Sequence, residues 1–147
     1  MLAFALLWIV PCLAIADTIT KFHETWSDLG VITNDDDHYA GIVVQDTLKD
    51  KLAAPFQFNN GSEWDKFVEL WTKAKAMPEG SSDVVGRLKD SAGDSLIVVM
   101  DGDGHVEISV AEPAQPGRYE LFCDFHLQKE DVAAFDKRVR EVSVFFQ

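Results

Sequence analysis

Apolar residues recur at two different spacings along this chain, and the change of spacing marks its elements. Over 63–77, Trp64, Phe67, Val68, Trp71 and Ala74 fall on one face of a helix, while Lys66, Lys73 and Lys75 lie off it. Ser62 is placed to cap this helix, with Asp65 three residues on as a capping-box partner, and Pro78 and Gly80 stop it. From residue 84 the spacing drops to alternation. Strands are predicted over 84–89, 95–100, 105–111 and 118–128, separated by turn-rich stretches at 90–94, 101–104 and 112–117. The helical spacing returns over 129–145, where Val132, Phe135, Val139, Val142 and Phe146 form a stripe.

The segment before the first helix is less regular. Residues 39–44 are rich in β-formers and read as a strand, with a hairpin turn predicted at 35–38. The predicted fold class is therefore α+β: an antiparallel β-meander of at least four strands, one helix before it and a C-terminal helix packed on one sheet face. A tight turn at 101–104 sets Val99 opposite Val106 and Ile97 opposite Ile108. Closure over 91–94 sets Leu88 opposite Ile97, and a loop at 112–117 sets Ile108 opposite Leu121. One face then reads Leu88, Ile97, Ile108, Leu121, and the terminal helix is its natural cover.

The first sixteen residues are uncharged and read differently from the rest. Their apolar run is shorter than the roughly 20 residues that span a bilayer. It ends in Ala14-Ile15-Ala16, a small-x-small cleavage pattern. The expectation is a signal peptide over 1–16, a single acidic domain over 17–147, a secreted or periplasmic location and no stable membrane insertion after cleavage. The leader lacks the usual Lys or Arg, and a lipoprotein reading through Cys12 is disfavoured by Pro11. Cleavage would leave Cys123 as a lone thiol in the company of Tyr119, Leu121 and Phe125, a buried apolar setting.

Charge restricts the partners. Lys and Arg total 13 against 25 Asp and Glu, a net −12. Such a surface repels nucleic acid, whose binding needs cations to displace counterions. A basic protein is the expected partner, and exposed acids at Asp35, Asp36, Asp37, Glu107 and Glu120 are the candidate binding residues. The leading reading is an exported binding protein, an inhibitor or immunity-type protein for a basic enzyme.

Catalytic chemistry has weaker candidates. His105 and Asp124 are expected to be cross-strand neighbours, with His126 on the same face, giving an acid-oriented imidazole. No nucleophile motif accompanies them, so a small metal-dependent or His/Asp hydrolase is the rival reading, and a structural envelope component a third. Asp101-Gly-Asp-Gly104 looks like the start of a calcium loop but lacks the later ligands, and a hairpin turn is favoured. Asp35–Asp37 with His38 reads as a solvated acidic turn rather than a metal site. No cofactor is expected. Trp64 and Trp71 read as core, and Asn60-Gly61-Ser62, a sequon in form, as a turn and cap.

Overall fold

The computed structural model describes residues 17–53, 55–113, 116 and 122–147. The leader at 1–16, with Cys12, and the positions Tyr119, Glu120 and Leu121 lie outside the described residues. The chain forms two antiparallel sheets and two helices. In the first sheet β1 (Asp17–His23), β2 (Ser27–Asn34) and β3 (Tyr39–Asp46) lie side by side. The outer edge of β3 is shared by two short strands, β4 (Lys51–Leu52) and β5 (Phe56–Phe58). Pro55, which has no N–H for the ladder, falls between the two short strands. The turn between β2 and β3 is at the predicted place. Asn34 Oδ1 accepts the Asp37 amide at 2.6 Å.

Helix α1 (Gly61–Ala76) follows, then β6 (Ser82–Lys89), β7 (Ser95–Asp101), β8 (Val106–Ala111) and β9 (Phe122–Leu127) in a four-stranded meander. A 3-10 turn (Lys129–Asp131) leads into α2 (Val132–Phe145). The α+β class, the meander and both helices are as the apolar pattern predicts. The register is not.

Two of the meander's hairpins share one device. Asp90 Oδ1 accepts the amides of Ala92 at 3.0 Å and Asp94 at 2.9 Å, while the Asp90 amide donates to Asp94 O. Asp101 Oδ1 likewise accepts the amides of Asp103 at 2.9 Å and His105 at 3.2 Å, while its own amide donates to His105 O. Each loop closes with a glycine at positive φ, Gly93 at 87° and Gly104 at 83°. These are three-residue hairpins, one residue longer than a two-residue turn.

That extra residue shifts each pairing by one. Val106 faces Met100 rather than Val99, and Leu88 faces Leu96 rather than Ile97. A one-residue shift exchanges the faces of a strand. The row Leu88, Leu96, Val110, Cys123 replaces the predicted one, with Leu96, Val98, Met100, Ile108 and Phe125 buried alongside. Ile108 faces Phe125, not Leu121; that shift is of four residues, so β9 keeps Cys123 and Phe125 on the inner face. Cys123 is buried as expected, and burial pushes its thiol above the usual range.

Helix α1 begins two residues earlier than predicted. Asn60, not Ser62, is the cap: its side chain accepts the Glu63 amide at 2.9 Å, and Glu63 Oε2 reaches back to the Asn59 amide at 2.7 Å. Trp64, Phe67, Trp71 and Ala74 are buried, as their spacing implies. The cover of the meander is α1 rather than the terminal helix, since α1 packs on β6 and β7 while α2 packs chiefly on α1 and β2. Gly86 admits this contact, because a Cβ there would stand 2.4 Å from Leu70 Cδ2. Phe135 of α2 meets Phe22, Phe67 and Trp71 edge-on, joining the first sheet to both helices. Between the helices, Asp136 accepts from Trp71 Nε1 at 2.9 Å, from Lys75 and from Arg140. The hydrogen bonds from Lys75 and then Trp71 hold its carboxyl below the ordinary range.

Two outcomes test the hairpin analysis. Gly93→Ala, where the added Cβ would stand in ordinary contact with Pro113 Cγ at 3.8 Å but φ stays positive, is expected to cost about 1 kcal/mol in urea unfolding. Asp94 is buried, and burial first, then the negative Asp90 and Glu112, raise its carboxyl. Such a group loses stability as pH rises through its folded pKa, so Asp94→Asn should unfold at higher urea than the natural chain at pH 7. The gain should vanish below about pH 4, where the carboxyl is protonated in both states.

Candidate functional site

The outward positions of β9 alternate with its buried ones, which puts Asp124 and His126 on the face opposite Cys123, Phe125 and Leu127. The free edge of β9 lies against the first sheet. Glu24 Oε1 accepts the His126 amide at 3.2 Å, and Cys123 Sγ lies 3.7 Å from Lys51 O. The β1–β2 turn is thereby drawn over the end of the meander, and a cleft of about 380 Å³ opens between them. Glu24, Trp26 and Ser27 line one wall and Asp46 comes from the end of β3. His105, Asp124, His126 and Gln128 line the other wall.

Asp101 anchors the second wall. Its Oδ1 is spent on the loop amides, and its Oδ2 faces two imidazoles, His105 Nδ1 and His126 Nδ1, each at 3.2 Å. Burial works to raise this carboxyl, but the amides of Asp103 and His105 and the two histidines outweigh it, leaving it below the usual carboxylate range. His126 Nε2 lies 3.6 Å from Glu107 Oε2. Ser109, facing Asp124 across the strands, donates to Asp124 Oδ1 at 2.7 Å, with Glu107 Oε1 at 3.2 Å. The result is one polar chain: His105, Asp101, His126, Glu107, Ser109, Asp124.

Of the residues singled out in the sequence, His105 and His126 are brought together through Asp101. The expected His105–Asp124 pairing is replaced. Asp124 faces Ser109 and His126 faces Glu107, because the meander's register differs from the one inferred. Glu107 belongs to the polar chain. Asp35, Asp36 and Asp37 are exposed at the opposite end of the β2–β3 pair, whose cleft end is the Ser27↔Asp46 pairing. Seven residue steps separate the two ends, roughly 23 Å of strand. Glu120, the remaining candidate, lies outside the described residues. The Asp35–His38 turn instead leans on the C-terminus, where His38 stacks on Phe145 at 4.5 Å between ring centres.

The sequence reading missed Glu24, Trp26, Asp46 and Asp101. Trp26 is 59% exposed, although its main chain is fixed by the Thr47 amide donating to its carbonyl at 2.8 Å. A tryptophan in a turn between two strand-like stretches, flanked by acids, is the signal that could have marked it. For Asp101 the signal is the repetition of Asp-x-x-Gly-x at 90–94 and 101–105.

The chemistry open to this cleft follows from what each group already holds. Both nitrogens of His126 face carboxylates. The nearby hydroxyls donate to acids, Ser27 to Glu24 and Ser109 to Asp124, and neither contacts an imidazole. A hydroxyl nucleophile needs an adjacent base to accept its proton. Among the described residues, no group of three or more His, Cys, Asp or Glu side chains has the arrangement to hold a metal ion. No lysine or arginine is among the described residues lining the cleft, whereas Glu24, Asp46 and Asp124 all line it. Its field favours a cation.

A scan against protein-family models finds no match for the chain, and neither does a comparison with curated protein sequences.

The role given to Asp101 has a pH signature. A carboxyl held below its unfolded pKa contributes stability above that pKa and loses it as pH falls through the folded value. Asp101→Asn is expected to cost about 1–2 kcal/mol at pH 7. Its deficit against the natural chain should shrink steadily as urea titrations move below about pH 4.

Proposed function

We propose that this chain is an exported binding protein that grips a cationic side chain of a basic protein partner in the cleft between the β1–β2 turn and β9. The observation that carries this reading is Trp26, 59% exposed at the rim of a cavity with three carboxylates and no lysine or arginine among its described lining residues. An aromatic face and a carboxylate are the two groups that most favour an arginine or lysine head together. The excess of acids over bases across the chain adds long-range attraction, speeding encounter with a basic surface at low salt. The acidic tip at Asp35, Asp36 and Asp37 faces the other end of the sheet and would add to that attraction without touching the same group. The hydrolase reading draws no support from the cleft, whose hydroxyls and imidazoles are not in contact. Release outside the cytoplasm, secreted or periplasmic, rests on the leader pattern at 1–16.

An arginine- and lysine-rich peptide titrated into the protein, read by tryptophan fluorescence and calorimetry, tests this. Trp26→Ala and Asp46→Asn are each expected to weaken binding about tenfold, roughly the worth of one cation–π contact or charge-assisted hydrogen bond. Replacing Asp35, Asp36 and Asp37 together by Asn should slow association at low salt and leave dissociation unchanged. Binding that is indifferent to salt, or untouched by Trp26→Ala, would overturn the proposal.

A further inference from the structure

A second cavity has the opposite character. It measures about 320 Å³ and lies where β5, the first half of α1 and β6 meet, with Lys66, Arg87 and Lys89 among its lining residues. In a chain with 13 cationic residues against 25 acids, cations are expected to be paired, and many are. Lys75 and Arg140 bond Asp136, Lys129 bonds Glu79, Lys137 and Arg138 face Glu141, and Lys73 reaches Val85 O. Lys66, Arg87 and Lys89 have no ion pair with any described residue, and neither have Lys21, Lys49 and Lys51, but the first three line one cavity together. Three exposed cations round one polar cavity repel one another weakly through solvent, and an anion seated among them would relieve that repulsion.

The acids at hand do not do so. Glu63 lines the cavity, but its Oε2 is bonded to the Asn59 amide at 2.7 Å as part of the helix cap. Asp90, next in sequence to Lys89, has Oδ1 on the loop amides of Ala92 and Asp94 and Oδ2 on the Gln57 amide at 3.1 Å. That last bond shows the edge of β5 presenting a main-chain donor at the cavity to a carboxylate oxygen. The cations come from two rigid sources. Arg87 and Lys89 are two apart on β6, which sets them on one side of the strand, and Lys66 comes from the helix packed against it.

We infer that this cavity is an oxyanion-binding site, in which Arg87, Lys66 and Lys89 together hold a phosphate or carboxylate group. Arg87 supplies the planar fork that matches two oxygens of such a group, and the lysines supply point charges to the remaining ones. The site is separate from the cation-binding cleft and independent of it. A ligand or partner surface carrying a phosphate or a carboxylate is the chemistry it fits, and the net negative charge of the molecule selects against diffuse anion binding elsewhere.

The test is a titration of the full chain with inorganic phosphate, and separately with citrate, at low ionic strength, followed by backbone amide shifts in NMR. Saturable shifts centred on Gln57, Phe58 and Leu88 are expected, with phosphate and citrate competing. Saturation by one alone assigns the group as phosphate or as carboxylate. Substituting Lys66→Gln, Arg87→Gln and Lys89→Gln together should weaken binding at least about tenfold, the worth of one lost charge-assisted hydrogen bond. Lys49→Gln with Lys51→Gln, two lysines outside the cavity, should change it less than about twofold. Should the triple variant lose its cooperative unfolding transition, Arg87→Gln alone, with a preserved amide spectrum, should still weaken binding severalfold. Equal weakening by the two sets of substitutions, or no saturable shift at these amides up to about 50 mM of either anion, would overturn the inference.

Discussion

A carboxylate that accepts two main-chain amides across a three-residue loop fixes the register of β6, β7 and β8, and much else follows from it. Asp90 and Asp101 do this in the same way, and each loop ends in a glycine whose positive φ a residue with a Cβ adopts only at a cost. Because strand side chains alternate, loop length decides which residues are core. Leu96, Val98 and Met100 face inward because the loops hold three residues; a two-residue turn would have presented Ile97 and Val99 instead. The same oxygens also build the site. Asp101 uses one oxygen for the loop and the other for His105 and His126, so the element that sets the fold positions the imidazoles too.

The two helices are set against each other by the need of buried indoles for a partner. Trp64 Nε1 donates to Val139 O at 3.3 Å and to Ser143 Oγ at 3.1 Å, and Trp71 Nε1 donates to Asp136. All three bonds run from α1 to α2, so the aromatic face of one helix chooses the rotation of the other. Arg138 ties α2 to the first sheet in turn, bonding Thr18 O at 3.2 Å and Thr33 Oγ1 at 3.1 Å while itself buried. A charge in that position is held by its partners rather than by solvent.

Charge is distributed with more order than the net value suggests. Acids gather at the cleft beside Trp26 and at the β2–β3 turn, while Lys66, Arg87 and Lys89 line the cavity between β5 and β6. Both sites depend on sequence-distant strands meeting. The cleft joins the β1–β2 turn to β9, and the cavity joins β5 to β6 across α1.

The elements were legible in the chain, because helical and strand spacings are local consequences of burying one face. The α+β class, both helices, the β2–β3 turn, the four meander strands and the burial of Cys123 all come from such patterns. The turn chemistry was legible in kind but not in length. Asp-Gly at 101–102 marks a hairpin, yet only the carboxylate's bonds to the amides of residues 103 and 105 select three loop residues over two. One residue of difference was enough to exchange the two faces of β7, while a four-residue shift between β8 and β9 replaced the His105–Asp124 pair with His126–Glu107 and Ser109–Asp124. Which helix covers the meander, that Asn60 rather than Ser62 caps it, and that Trp26 shares a cleft with Asp46 and Asp124 were left to the tertiary structure. These are contacts between segments far apart in sequence, and a local pattern carries no information on which buried face meets which.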